Sequence, residues 1–154
     1  MAQLIDRAGC VVFSNYNNLL YVLMVRYNNL NKFDIPRGGY DRILDKNLIN
    51  CAKREVFEET GLDITNNKLF KVRQFEEWNI NRKSGVKLHY NITIFTTSVR
   101  GLPKLNPVDK KEIDFAKWIE YSDAIKKLYY NIKNSEAIKS LYLAYLTGLR
   151  FKIF

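Results

Sequence analysis

Cysteine, histidine and long apolar runs are all scarce in this chain. Its two cysteines, Cys10 and Cys51, lie in apolar or helix-like surroundings without CxxC or Cys/His spacing. Neither a disulfide framework nor a zinc site is indicated, and a reducing compartment fits. No stretch approaches the ~18–20 consecutive apolar residues of a membrane span. The opening MAQLIDRAGCVVF has no basic segment followed by a long apolar run. A soluble, cytoplasmic protein with no membrane partner is expected. Repeats and long low-complexity segments are also missing, while 154 residues, 47% of them apolar, suffice for one continuous core. A single domain over 1–154 follows, ending in helices from about 122.

The net charge is +9. A positive surface attracts polyanions over a Debye length, so phosphate-bearing partners such as RNA or nucleotides fit, as does plain solubility. The charge is unevenly placed: residues 34–62 hold five basic side chains against six acidic ones, and from 124 onward six basic side chains face one acidic. Cations on the rim of a site whose floor binds metal would produce this pattern. The C-terminal excess could guide a nucleic acid, although the Leu/Tyr stripe there first indicates helix packing.

AGCVVFS and LLYVLMVRY are β-branched or aromatic runs separated by NYNN, which reads as strand, turn, strand. NNLNKFDIPRGGYDR then reads as a loop, in which Pro36 fixes one torsion and Gly38-Gly39 permits close backbone approach. A helix is predicted from about Asp45 to Thr60, with Ile49, Ala52 and Val56 as its buried stripe and Gly61 ending it. KLFKVRQFEEW and VKLHYNITIFTTSV read as strands joined by a polar connection over 79–85, with Leu88, Tyr90, Ile92 and Ile94 on one face. IDFAKWIEY is a further short strand. Ser122 and Ser135 are placed to cap helices over roughly 123–131 and 136–147, the second ending at Gly148. Strands enclosing one helix and followed by others predict an α/β fold with a mixed sheet packed between helices.

The stretch AKREVFEETGL is the most informative. On a helix Glu55, Glu58 and Glu59 stand at i, i+3 and i+4 and share one face, where like charges repel unless a cation neutralises them. Hard oxygen ligands suit Mg²⁺ or Mn²⁺, which would stabilise charge on phosphate and activate water. The other reading is a solvated charged helix face. Context favours the metal: a Pro-Gly-Gly loop precedes the helix, and Gly61-Leu62 follows the last glutamate.

REVFEETGL resembles the second half of the Nudix box, GX5EX7REUXEEXGU with U aliphatic, and matches that half at every fixed position. The resemblance, over roughly residues 7–125, implies the Nudix α/β/α sandwich and hydrolysis of a diphosphate linked to another moiety. It makes Glu55, Glu58 and Glu59 metal ligands and Arg54 a residue that orients carboxylates. The first half departs from the pattern: Asp45 follows Gly39 where the box has Glu, and eight residues rather than seven precede Arg54. A one-residue insertion with Asp45 replacing the glutamate accounts for this. Gly38 or Gly39 either offers a carbonyl to the metal or serves the turn alone.

Nudix enzymes often recruit a further glutamate as ligand or general base. KKEIDFAKWIEY resembles the segment before the last core strand in mRNA-decapping and RNA 5′-pyrophosphohydrolase members, which points to Glu112, with Glu76 and Glu77 as rivals. His89 reads as a partly exposed strand residue rather than a base, and Trp118 as core. Phe33, Tyr40 and Trp78 lie near predicted loops and could stack on a base, with ordinary packing as the alternative. Arg37 and Lys53 flank the acidic centre and could hold phosphates, or be solvated.

The leading expectation is Mg²⁺- or Mn²⁺-dependent hydrolysis at an RNA 5′ end, by decapping or removal of pyrophosphate. A small-molecule Nudix hydrolase acting on dinucleoside polyphosphates, nucleotide sugars, nucleoside triphosphates or diphosphoinositol phosphates is the alternative. A non-catalytic nucleotide- or RNA-binding protein of the same fold is the third reading.

Overall fold

The hairpin expected at NYNN is the first feature of the computed structural model, which describes residues 4–27, 32–81, 83–132 and 134–154. Strand β1 (Leu4–Tyr16) turns into β2 (Leu19–Tyr27) through Asn17 and Asn18, at φ 49° and 63°. Asparagine tolerates that left-handed backbone better than most residues, which is why two of them can close so tight a turn. Then come β3 (Lys32–Asp34), β4 (Arg37–Gly39), α1 (Leu48–Thr60), β5 (Phe70–Ile80), β6 (Lys87–Ser98), β7 (Ile113–Glu120) and α2 (Tyr121–Lys127). A π-helical turn over Leu128–Ile132 leads into α3 (Ser135–Phe151).

The strands form one mixed sheet in the order β3-β2-β1-β6-β5, with β4 beside β1 and β7 beside β2. β1 and β6 run parallel; the other pairings are antiparallel. β1 pairs β2 only over Phe13–Tyr16, and nearer its start it pairs β4 while β2 takes β3 and β7. Ile35-Pro36 bridges the split, and the Pro36 carbonyl accepts a hydrogen bond from Cys10 N–H at 3.1 Å.

Alternation along β1 divides the core. Ala8, Cys10 and Val12 face α1, with Leu23, Val56 and Phe95. Val11 and Phe13 face α2 and α3, with Met24, Ile92, Ile94, Leu128 and Leu141. Helices therefore cover both faces, and the sandwich expected from the element pattern is present.

Several local expectations need correction. Of the loop expected over 28–42, residues 28–31 lie outside the described residues; the rest contains β3 and β4, because backbone groups buried between β1 and β2 must be paired. α1 starts at Leu48: Lys46 has φ 64°, and Asn47 is the cap, its side chain accepting from Asn50 N–H. Ile49 is 40% exposed; the buried face carries Cys51, Ala52, Glu55, Val56, Glu59 and Thr60. Glu120 rather than Ser122 caps α2, and Asn134 rather than Ser135 caps α3, accepting from Ala137 N–H at 3.1 Å. α3 passes through Gly148 to Phe151; the glycine there leaves room for the Phe154 ring, which occupies the space a Cβ would need.

Gly61 ends α1 at φ 79°, and a Cβ there would collide with the Asn106 carbonyl. Gly61→Ala is expected to lower unfolding free energy by about 1–3 kcal/mol, read from urea denaturation, since strained backbone and lost space combine.

Candidate active site

The α1 face that the sequence pattern assigned to Ile49 carries two carboxylates. Glu55 and Glu59 lie one turn apart on the buried side, at 8% and 1% exposure, while Glu58 is half-exposed beside them. Gly38 makes this possible: it pairs with Ala8 in the β1–β4 ladder, and a Cβ on it would occupy the Glu55 carboxyl group.

Glu59 is held from the side of β2 and β4. Its Oε1 accepts from the Tyr27 hydroxyl at 3.1 Å and from Arg37 N–H at 2.9 Å. Oε2 is buried with no hydrogen-bond partner among the described residues. An orphaned carboxylate oxygen beside a second buried carboxylate is an expensive arrangement for a protein alone, and fits a cation ligand. The residues present therefore suit a hard divalent ion.

Arg54 holds the ridge together. Its Nε and Nη2 reach the Asp45 carboxylate at 2.6 and 2.9 Å, Nη2 also reaches the Gly39 carbonyl at 2.7 Å, and Nη1 lies 3.0 Å from Glu55 and 3.1 Å from Glu58. Asp45 is 1% exposed, and its hydrogen bond to Arg54 holds its pKa below the usual carboxylate range. It thus serves the orienting arginine. Among the described residues no three Asp, Glu, His or Cys side chains are drawn into a ready ligand set; Arg54 Nη1 lies between Glu55 and Glu58.

The carboxylates resist ionisation. Burial, opposed in part by Arg54 and reinforced by Glu58 and Glu112, raises Glu55 to about 7. Burial and the neighbouring Glu55 raise Glu59 to about 9. Glu112 is raised by desolvation and by Asp109, and its charge acts on Glu55 and Glu59, so it belongs to the same electrostatic cluster. The loop before β7 puts it there. Val108 and Asp109 N–H both donate to the Glu58 carbonyl at 2.9 Å, and Asn106 N–H donates to that of Thr60 at 2.8 Å, using carbonyls left open at the end of α1.

Other expected site residues are placed differently. Phe33 is 1% exposed inside the core and offers no face for stacking. Arg37 is buried, with Asp34 at 3.3 Å and Glu77 at 3.5 Å, so it ties β4 to its neighbours and presents only its N–H to Glu59. Lys53 points away, its Nζ donating to the Thr65 carbonyl at 2.7 Å. Tyr40 packs against the α1-side core. Trp78 is exposed, stacked at 3.9 Å on His89, whose Nε2 lies 3.0 Å from Glu76. The Gly39 carbonyl faces Arg54. Tyr27 is the residue that sequence reasoning missed. It ends an apolar strand, and nothing local distinguishes it from core.

The sequence model of the NUDIX domain matches residues 4–141. The chain belongs to the Nudix family. Two sequences from Saccharomyces cerevisiae, named mRNA-decapping enzyme subunit 2 and m7GpppN-mRNA hydrolase, are each 33% identical over 127 residues, 81% of this chain. The chain spans 12% of the length of those relatives. The Nudix domain of Shewanella oneidensis NrtR, complexed with ADP ribose, superposes with TM-score 0.69 at 17% identity, covering 98% of this chain and 90% of that one. A Nudix hydrolase described as putative, from Listeria monocytogenes, gives 0.70 at 15% identity, with 96% and 95% covered. A Caenorhabditis elegans Ap4A hydrolase complex gives 0.65 at 18% identity, with 94% and 98% covered. These structures share the fold. Nudix hydrolases generally use divalent metal ions, in keeping with the carboxylate ridge.

A pH dependence follows from the raised carboxyls. Both Glu55 and Glu59 titrate above their ordinary value of 4.5, so the folded metal-free chain holds more protons than the unfolded one. Their contribution to stability is complete below the ordinary value and is lost as pH rises through about 7 and about 9. Denaturant melts of metal-free protein should show it. At neutral pH, Mn²⁺ binding should release protons, read by calorimetry in buffers of different ionisation enthalpy. Glu59→Gln should reduce both the release and the affinity.

Proposed function

We propose that this Nudix protein is a Mg²⁺- or Mn²⁺-dependent pyrophosphohydrolase. It cleaves a phosphoanhydride in a nucleoside diphosphate-linked substrate, preferentially at an RNA 5′ end that is m7G-capped or triphosphorylated. The observation that carries the reading is the buried, unpartnered Glu59 Oε2 beside Glu55 on the α1 ridge. Glu55, Glu58 and Glu59 would hold the ion, with Glu112 as a further ligand or as general base. A divalent ion bound there supplies Lewis-acid stabilisation of charge on the phosphoryl oxygens. Arg54 keeps the carboxylates in register through Asp45 and the Gly39 carbonyl. Glu112, on the tethered loop, is suited to take the proton of the attacking water, since a carboxyl with a raised pKa is a stronger base.

The RNA preference draws on the decapping relatives, the net charge of +9 and the basic C-terminal segment. The nucleotide ligands named for Nudix structures of the same fold, ADP ribose and Ap4A, support a second reading, hydrolysis of small nucleotide substrates. A cytoplasmic site of action accompanies either reading.

Capped RNA, triphosphorylated RNA and a panel of small nucleotides, each incubated with Mn²⁺, separate these readings by product. RNA 5′-end release is expected; turnover of small nucleotides alone would overturn the RNA preference. Glu112→Gln should lower kcat by about 10²–10⁴-fold if that residue is the base. Glu58→Gln and Glu59→Gln should abolish turnover while circular dichroism shows the fold retained. Undiminished activity in both would remove the ligand assignment.

A further inference from the structure

Arg37 and Lys53, the cations that the sequence pattern offered for phosphate, are engaged elsewhere. Another cation is better placed. Among the described arginines that are not fully exposed, Arg26 pairs with Asp114, Arg37 with Asp34 and Glu77, Arg54 with Asp45, and Arg73 with Glu136. Arg7 is the half-buried arginine without such a partner, and among the described residues no hydrogen bond ends on its guanidinium. Its Cζ lies 5.0 Å from the centroid of the Tyr90 ring. An aromatic face steadies a guanidinium but satisfies none of its five N–H donors, which remain available to a planar or tetrahedral oxyanion.

The position of Arg7 in the sheet gives the donors a target. In the β1–β4 ladder Arg7 stands opposite Gly39, whose carbonyl binds Arg54, and Ala8 stands opposite Gly38, which Glu55 overlies. Arg7 is thus one residue along β1 from the floor of the carboxylate cluster. Alternation sends its side chain to the other sheet face from Ala8, beside Tyr90. The loop that carries Glu112 lies within reach of the positive charge of Arg7. Among the described residues no salt bridge engages Arg7, and Tyr90 is the ring it rests on.

We propose that Arg7, carried by Tyr90, is a phosphate-binding residue of this site, holding a non-bridging oxygen of the substrate's diphosphate from the side across from α1. The assignment rests on the pyrophosphohydrolase reading for its substrate, and on geometry alone for its ligand chemistry. Loss of a charge-assisted hydrogen bond of this kind corresponds to about tenfold to hundredfold in affinity.

The test is calorimetric binding of ADP with Mg²⁺ to the full chain, alongside steady-state kinetics on whichever substrate is turned over. Arg7→Gln keeps the stem over Tyr90 and removes the charge. It should weaken ADP binding and raise KM by about tenfold to hundredfold, with kcat, Mn²⁺ affinity and the melting temperature little changed. Arg7→Lys restores charge without the planar fork and should recover part of the loss. ADP affinity and KM within about twofold of the parent in Arg7→Gln would overturn the proposal. So would a loss of Mn²⁺ affinity or melting temperature equal to the loss of ADP binding, which marks a structural role. A chain that binds ADP through Arg7 yet hydrolyses nothing would sink the enzymatic reading and leave the phosphate contact standing.

Discussion

Mutual repulsion among carboxylates on one helical ridge is the constraint to which the rest of this structure answers. Glu55 and Glu59 are buried side by side, with Glu58 and Glu112 adding negative charge from the solvent side. In a medium less polarisable than water such a cluster is unfavourable unless protons or cations offset it. Arg54 supplies part of that offset and converts it into geometry, because a planar guanidinium can hold Asp45, the Gly39 carbonyl and two glutamates at once. The remaining deficit is concentrated on Glu59, where one oxygen is satisfied and the other is not.

The sheet is built around placing this ridge. The β3–β4 segment fills the gap where β1 and β2 diverge, so that Arg37 N–H and the Tyr27 hydroxyl converge on Glu59 from two strands. Gly38 gives up a side chain so that Glu55 can approach backbone. The end of α1 holds the loop that carries Glu112, with open helical carbonyls accepting its N–H groups. Backbone satisfaction and the placement of the carboxylates are here the same contacts.

Arg7 and Arg37 illustrate how charge is apportioned. Arg37 lies inside the acidic region of the sequence, yet its guanidinium is consumed by Asp34 and Glu77 in the interior. Arg7 lies far from that region in sequence, and the β1–β4 ladder delivers it to the rim with an aromatic ring as its only described contact. Proximity along the chain singled out an arginine whose guanidinium is taken up in the interior.

The sequence by itself determined the hairpin at Asn17-Asn18, the helix ending at Gly61, the layered α/β fold and the spacing of Glu55, Glu58 and Glu59, because periodicity, turn chemistry and helical phase are local properties. It also marked Asp45 as the residue standing where the box has a glutamate. Only the tertiary structure decided that Ile49 faces solvent while two glutamates face inward, that Phe33 is core, that Tyr27 grips Glu59, and that Arg37 and Lys53 are engaged while Arg7 has no ion-pair partner among the described residues. Those outcomes depend on which strands part and which loop crosses the gap, and so on contacts between residues distant in sequence, where the energies of burial and pairing are settled.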